Sequence, residues 1–166
     1  MNKDFNFIKT YKEHYYLNLK NFRKKISKNF TLILLYHGVT EIKSKGIENF
    51  SKKHIYYKDF KNQMKYIKDN FNLISMDEII YQKKDNYKLP KKSVVITFDD
   101  GFENNYNVAA PILDELNIPS VFYVSSGMIG TKTIFWVDVI EDCINRTKKI
   151  ELNLEIKNKI FKYDLN

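Results

Sequence analysis

The sequence predicts an α/β domain in which a parallel sheet carries helices on its outside, either open or closed into a barrel. Three observations predict it. Short segments rich in β-branched and aromatic residues alternate with segments of helical periodicity along residues 30–147, the order of repeated strand–helix–strand units. The chain has 166 residues, 43% hydrophobic and 29% charged, which is enough for one domain with one core and too apolar for a disordered chain. Two adjacent acids, Asp99 and Asp100, close one strand segment, and parallel α/β folds bind ligands at the carboxyl ends of their strands.

The elements follow in chain order. In the basic stretch 2–28, Phe5, Ile8, Tyr15, Leu19, Phe22 and Ile26 recur at about helical spacing. This predicts a helix packed on the domain or a basic amphipathic segment lying on a membrane surface. Leu32 to Tyr36 reads as a buried strand ended by the turn signal His37-Gly38, and residues 41–55 read as a loop. From Tyr57 to Asn70 the spacing puts Phe60, Met64 and Ile67 on one helical face. Phe71 to Ile74 is a short strand. Ser75 caps the next helix with Glu78 at its third position, and that helix runs to about Lys84. A loop ending in Pro90 leads to the strand Ser93–Phe98. Asn104 to Leu116 is helical, with Pro111 expected to kink it or mark a second start. Pro119 to Val124 is a strand and Trp136 to Thr147 a helix. Residues 150–156 and 159–165 alternate around Lys157-Asn158, which predicts a hairpin.

Charge and cysteine content narrow the partners. Lys+Arg 28 against Asp+Glu 20 leave +8, yet Arg23 and Arg146 are the only arginines. Base readout relies on bidentate arginine, so a solvated lysine surface is expected rather than a nucleic-acid interface. The lone Cys143 excludes an intrachain disulfide and any zinc site of several thiolates; it is expected to be a packed thiol. The longest apolar run, Leu32 to Tyr36, is five residues, whereas a membrane-spanning helix needs ~20. Contact with a membrane would therefore be peripheral. The N-terminal lysines lack the apolar stretch of a secretory signal, which favours the cytoplasm or its membrane face over the cell envelope. Nothing in the pattern fixes an oligomeric state.

The chemistry concentrates at Ile96-Thr97-Phe98-Asp99-Asp100-Gly101-Phe102. Neighbouring side chains on a strand point to opposite faces. Both acids can approach one site only where the strand stops and the chain turns, and Gly101 permits the positive backbone angle of such a turn. Two close carboxylates disfavour each other's charge, and a cation or a shared proton relieves the conflict. Asp-Asp-Gly by itself is also an ordinary turn or helix cap, so the residues alone leave both readings open.

Thr97-Phe98-Asp99-Asp100-Gly101 resembles the first motif of the polysaccharide deacetylase family, the NodB-homology or carbohydrate esterase 4 group. Leu35-Tyr36-His37-Gly38-Val39 resembles the Tyr-His-x-Val segment of the branch that deacetylates poly-N-acetylglucosamine and related surface glycans. Phe60 to Met64, Leu73 to Glu78, Ala110 to Leu113 and Val121 to Val124 are similar to the following helices and strands, and Phe135 to Asp138 resembles an insertion in some members. The resemblance spans roughly residues 31–145.

It implies an incomplete (β/α) barrel with about four parallel core strands present, at 32–36, 71–74, 93–98 and 119–124. With the helical spacing over 2–28 this divides the chain into a basic N-terminal helical segment at 1–29 and, by the resemblance, the N-terminal part of a deacetylase domain at 30–166. The implied reaction is hydrolysis of N-acetyl groups on a polysaccharide, with a divalent metal, often zinc. In that scheme Asp99 is the general base, Asp100 the metal ligand and His37 the general acid.

The family's second motif, His-Ser/Thr-x-x-His, has no counterpart. The histidines are His14, His37 and His54, with no pair at i, i+4. Catalytic zinc normally takes about three protein ligands, and only Asp100 matches one. The expectation is the N-terminal portion of a longer deacetylase, truncated before that motif. A short non-catalytic glycan-binding relative and a basic protein holding an anionic polymer are the alternatives. His54 is expected to be solvated in its loop, Trp136 and Tyr123 to be core aromatics rather than sugar-stacking rings, Ser125-Ser126-Gly127 to be a plain turn, and Glu103 to begin the next helix.

Overall fold

The computed structural model describes residues 31–43, 49, 51–85 and 88–165. It opens with β1 (Leu32–Tyr36), β2 (Gly38–Thr40), β3 (His54–Tyr56) and α1 (Tyr57–Asn70). Next come β4 (Asn72–Leu73), α2 (Met76–Asp85) and β5 (Ser93–Phe98). A π-helical turn, Asn105–Ala109, runs directly into α3 (Ala110–Glu115). Then follow β6 (Ser120–Phe122), a 3-10 turn at Ser126–Met128, α4 (Trp136–Arg146), β7 (Glu151–Ile156) and β8 (Lys159–Asp164). The segment 1–29, expected to be helical, lies outside the described residues.

β5 is the centre of the sheet, and its continuous apolar run is the pattern of a strand covered on both faces; all six of its residues are buried. β1 lies parallel along one edge, from Leu32 opposite Val94 to Tyr36 opposite Phe98. The other edge is shared by two short parallel strands. Leu73 of β4 pairs with Val94 near the start of β5, and Val121 of β6 pairs with Thr97 near its end. The carbonyls of Val94 and Phe98, turned to the same edge by strand alternation, accept from the amides of Ile74 and Tyr123 at 3.0 and 2.8 Å. The four expected core strands are therefore all parallel partners in one sheet, and that sheet does not close into a barrel.

The core forms where α1 covers this sheet. Phe60, Met64 and Ile67 recur at i, i+4 and i+7 and cluster with Val94, Ile96 and Phe98 of β5 and with Ile112 and Leu113 of α3. Each such burial stabilises the fold by roughly 1.5–3 kcal/mol. The start of α2 is a capping box: the Glu78 amide donates to Ser75 Oγ at 3.2 Å, and the Ser75 amide donates to Glu78 Oε2 at 2.8 Å. Pro111 sits in the first turn of α3, where its missing N–H costs little. A regular helix would drive its ring against the carbonyl of residue 107; the wider π-turn before it takes the place of the expected kink. At Lys157 and Asn158 φ is 50° and 61°, the paired positive angles of a two-residue hairpin turn.

Several expectations are corrected. Residues 41–55 are not wholly loop, because β3 pairs in parallel with β2, from Gly38 opposite His54 to Thr40 opposite Tyr56. Three-residue strands are too short to show a period. Cys143 is exposed rather than packed, and Trp136 is 73% exposed rather than a core aromatic, with Tyr123 exposed as well. For Cys143 and Trp136 the reason is shared: α4 contributes no buried residue, so its apolar positions do not reach the core cluster.

Ile33 and Leu35 on β1 and Val139 and Ile140 on α4 also lie uncovered. Apolar surface of this kind favours association. The chain of residues 1–166 on its own is therefore expected to self-associate and to melt over a broad range. Sedimentation velocity and scanning calorimetry check this; a monomer with a sharp, concentration-independent melt would contradict it.

Candidate active site

The acidic pair is placed by the end of β5. The Asp99 amide still belongs to the sheet, donating to the Tyr36 carbonyl at 2.9 Å. Asp100 then takes φ +73° and Gly101 φ +74°, so two successive left-handed residues turn the chain away from the strand direction. Aspartate tolerates that conformation better than most residues, at a cost of order 1 kcal/mol. The Asp100 carbonyl accepts from the Ser125 amide at 3.4 Å, tying this turn to the loop after β6. At Gly101 a Cβ would stand 2.7 Å from Val124 Cγ1 and 3.2 Å from its Cα. Gly101→Ala is therefore expected to cost about 1–3 kcal/mol through the strained φ and the overlap, read by denaturant unfolding.

His37 occupies the single residue between β1 and β2. Since Tyr36 lies opposite Phe98, the residues after them emerge at the same edge. His37 Nε2 stands 4.0 Å from Asp100 Oδ2, with the two side chains 34% and 32% exposed. Asp99 is half-buried beside them. The three residues singled out in the sequence thus share one edge of the sheet, and two of them face each other within reach of solvent.

His54 belongs to the same neighbourhood, contrary to the expectation of a solvated loop residue. Its backbone is held from both sides by Asn49: the His54 amide donates to Oδ1 at 2.9 Å, and Nδ2 donates to the His54 carbonyl at 2.7 Å. Its ring meets Phe102 edge-on, centroids 4.7 Å apart, and Asn104 Nδ2 lies 3.3 Å from Nδ1. Gly38 makes room for it, since a Cβ there would fall 2.1 Å from His54 Nδ1. The partners lie up to 50 residues away in the chain, and no local pattern announces them. The nearest signal was the glycine directly after His37.

Burial lowers the His54 pKa, and Lys53 and His37 push the same way; Asp138 and Glu141 oppose them. The unfolded chain therefore takes up a proton near pH 6.5 that the folded chain refuses. Stability is expected to fall as pH drops below that value, and His54→Gln is expected to flatten this part of the curve. Unfolding midpoints between pH 5 and 8 measure both.

Polar contacts help fasten α4 to this edge. Glu141 accepts from the Asn49 amide at 3.1 Å and from Ser51 Oγ at 3.3 Å, and Asp138 pairs with Lys53. Among the described residues no three of His, Cys, Asp and Glu converge to hold a metal ion. Asp100 and His37 offer a pair of donors, short of the usual catalytic zinc set.

Carboxylates and imidazoles thus gather at the carboxyl edge of the parallel sheet of an α/β protein. A family model described as Polysaccharide deacetylase matches residues 86–157. A poly-beta-1,6-N-acetyl-D-glucosamine N-deacetylase of Staphylococcus aureus (strain MSSA476) is 37% identical over 67 residues, 40% of this chain and 23% of that protein. IcaB from Ammonifex degensii superposes with a TM-score of 0.53 at 29% identity, over 62% of this chain and 41% of that one. The Streptococcus pyogenes deacetylase PplD, solved with acetate, gives 0.51 at 27% identity, over 62% and 46%. A de-N-acetylase from Aggregatibacter actinomycetemcomitans gives 0.50 at 27% identity, over 82% and 45%. Over these stretches the chain is similar to the polysaccharide deacetylase family, and it spans less than half the length of each of these relatives.

Proposed function

We propose that this chain carries the acid–base part of an active site that removes N-acetyl groups from a polysaccharide, residues 30–166 forming the N-terminal part of that domain. The observation that supports it most is the approach of His37 Nε2 to Asp100 Oδ2, 4.0 Å, with Asp99 adjacent at the same strand end. In this reading Asp99 takes a proton from water as its oxygen bonds to the acetyl carbon. The tetrahedral intermediate then collapses with cleavage of the carbon–nitrogen bond. His37 gives the Nε2 proton to the departing nitrogen, leaving acetate and a free amine on the sugar. Proton transfers of this kind each contribute about 10²–10⁴-fold.

The family resemblance adds a divalent cation, often zinc, which would polarise the acetyl carbonyl. Asp100 would be one of its ligands. The described residues do not complete that centre, so the reading requires donors from outside them, as truncation before the His-Ser/Thr-x-x-His motif would entail. Acetate release from N-acetylated oligosaccharides, by a protein joining this segment to such donors, tests the proposal. Release that chelator abolishes supports it; none from a folded, metal-loaded protein rejects it. The shortage of donors also favours a second reading, glycan binding without turnover, which predicts oligosaccharide binding and no acetate.

A further inference from the structure

We propose that His54 is a substrate-contact residue: a neutral imidazole whose Nε2–H donates to a carbonyl or hydroxyl oxygen of an N-acetylated sugar lying beside His37 and Asp100. The inference rests on the deacetylase reading and adds a residue to it. The β2–β3 register sets His54 against Gly38, the residue next to His37. A Cβ at Gly38 would stand 2.1 Å from Nδ1 and 2.7 Å from Cε1, so the ring lies directly on that backbone. On its other side are Phe102, at 4.7 Å between centroids, and Asn104, both just past the acidic turn. His54 therefore bridges the two turns that carry His37 and the acidic pair.

Asn104 engages the Nδ1 side of the ring, its Nδ2 standing 3.3 Å away; with Nδ2 as donor, Nδ1 accepts and the proton of the neutral ring is carried on Nε2, the tautomer this proposal requires. Nε2 has no hydrogen-bond partner among the described residues. Asn49 holds the backbone beneath from both sides, and Glu141 in turn accepts from Asn49. A half-buried donor held this firmly, beside two groups suited to acid–base work, is suited to orienting a ligand oxygen.

The test uses the 166-residue chain and an N-acetylglucosamine oligosaccharide, with binding read by saturation-transfer NMR and the rings by long-range 1H–15N correlation. Three histidines make assignment simple through single His→Gln variants. The expected result is an Nε2–H tautomer for His54, an Nε2 resonance that moves on titration, and roughly 2- to 10-fold weaker binding by His54→Ala, the worth of one neutral hydrogen bond. Should that variant lose its folded spectrum, Asn104→Asp serves. A carboxylate accepts from Nδ1–H and draws the proton from Nε2, so binding is expected to weaken at a pH where the ring is neutral. An Nδ1–H tautomer in the parent, or binding equal in parent and folded variant, overturns the inference alone. No binding by the folded parent removes the glycan reading and this inference with it.

Discussion

Asp99→Asn and Asp100→Asn are both expected to abolish acetate release from a protein with the complete site, by about 10²–10⁴-fold each, while only Asp100→Asn also loses affinity for a divalent cation. The two substitutions are well matched to the question because neither disturbs its turn. Asparagine accepts the left-handed conformation as readily as aspartate, so φ +73° at position 100 is retained when the charge is removed. At position 99 the contact that matters for folding is made by the backbone amide, which donates to the Tyr36 carbonyl and is untouched by the change. What differs is the chemistry. An amide cannot take a proton from water, and it is a far poorer ligand than a carboxylate for a hard cation. Acetate release measured beside calorimetric titration with zinc separates the roles. Equal zinc affinity in the parent and both variants would overturn them.

How much of this was legible in the sequence depended on whether the deciding contact was local. The β5 strand was legible because burial on both faces leaves a continuous apolar run. So were the Ser75–Glu78 capping box and the Lys157-Asn158 turn, whose partners lie within three residues. The acidic pair at a strand end was legible from adjacency and from Gly101. The turn itself was only half anticipated, since Asp100 shares the positive φ that had been expected of the glycine. The β2–β3 ladder and the place of His54 were not legible, because Gly38, His54 and Asn104 come together only through folding. The exposed face of α4 was misread for a related reason. Helical periodicity marks an apolar face without saying what it packs against, and here Asp138 and Glu141 on the helix's polar side make the contacts.

The second large effect is on the fold, and it reaches the site through one residue. Phe98→Ala is expected to destabilise the chain by about 3–5 kcal/mol, a large share of the ~5–15 kcal/mol that holds a typical domain folded. Phe98 is fully buried. Its ring stacks on Phe122 at 4.7 Å and meets Tyr36 at 5.5 Å and Phe60 at 5.9 Å, so one side chain joins β1, β5, β6 and α1. Removing it opens a cavity that these flat rings fill poorly, since each is also held by its own strand or helix. Phe98→Leu keeps most of the volume and is expected to cost clearly less. The site should respond along with the stability, because Asp99 follows directly and its amide is the last rung from β5 to the Tyr36 carbonyl. Denaturant unfolding gives the first quantity, and the His37 imidazole resonances report the second. A loss below about 1 kcal/mol for Phe98→Ala, within the range of an ordinary surface change, would mean that the acidic turn is held by strand pairing alone. In that case His37 should keep its parent resonance even with the cavity present.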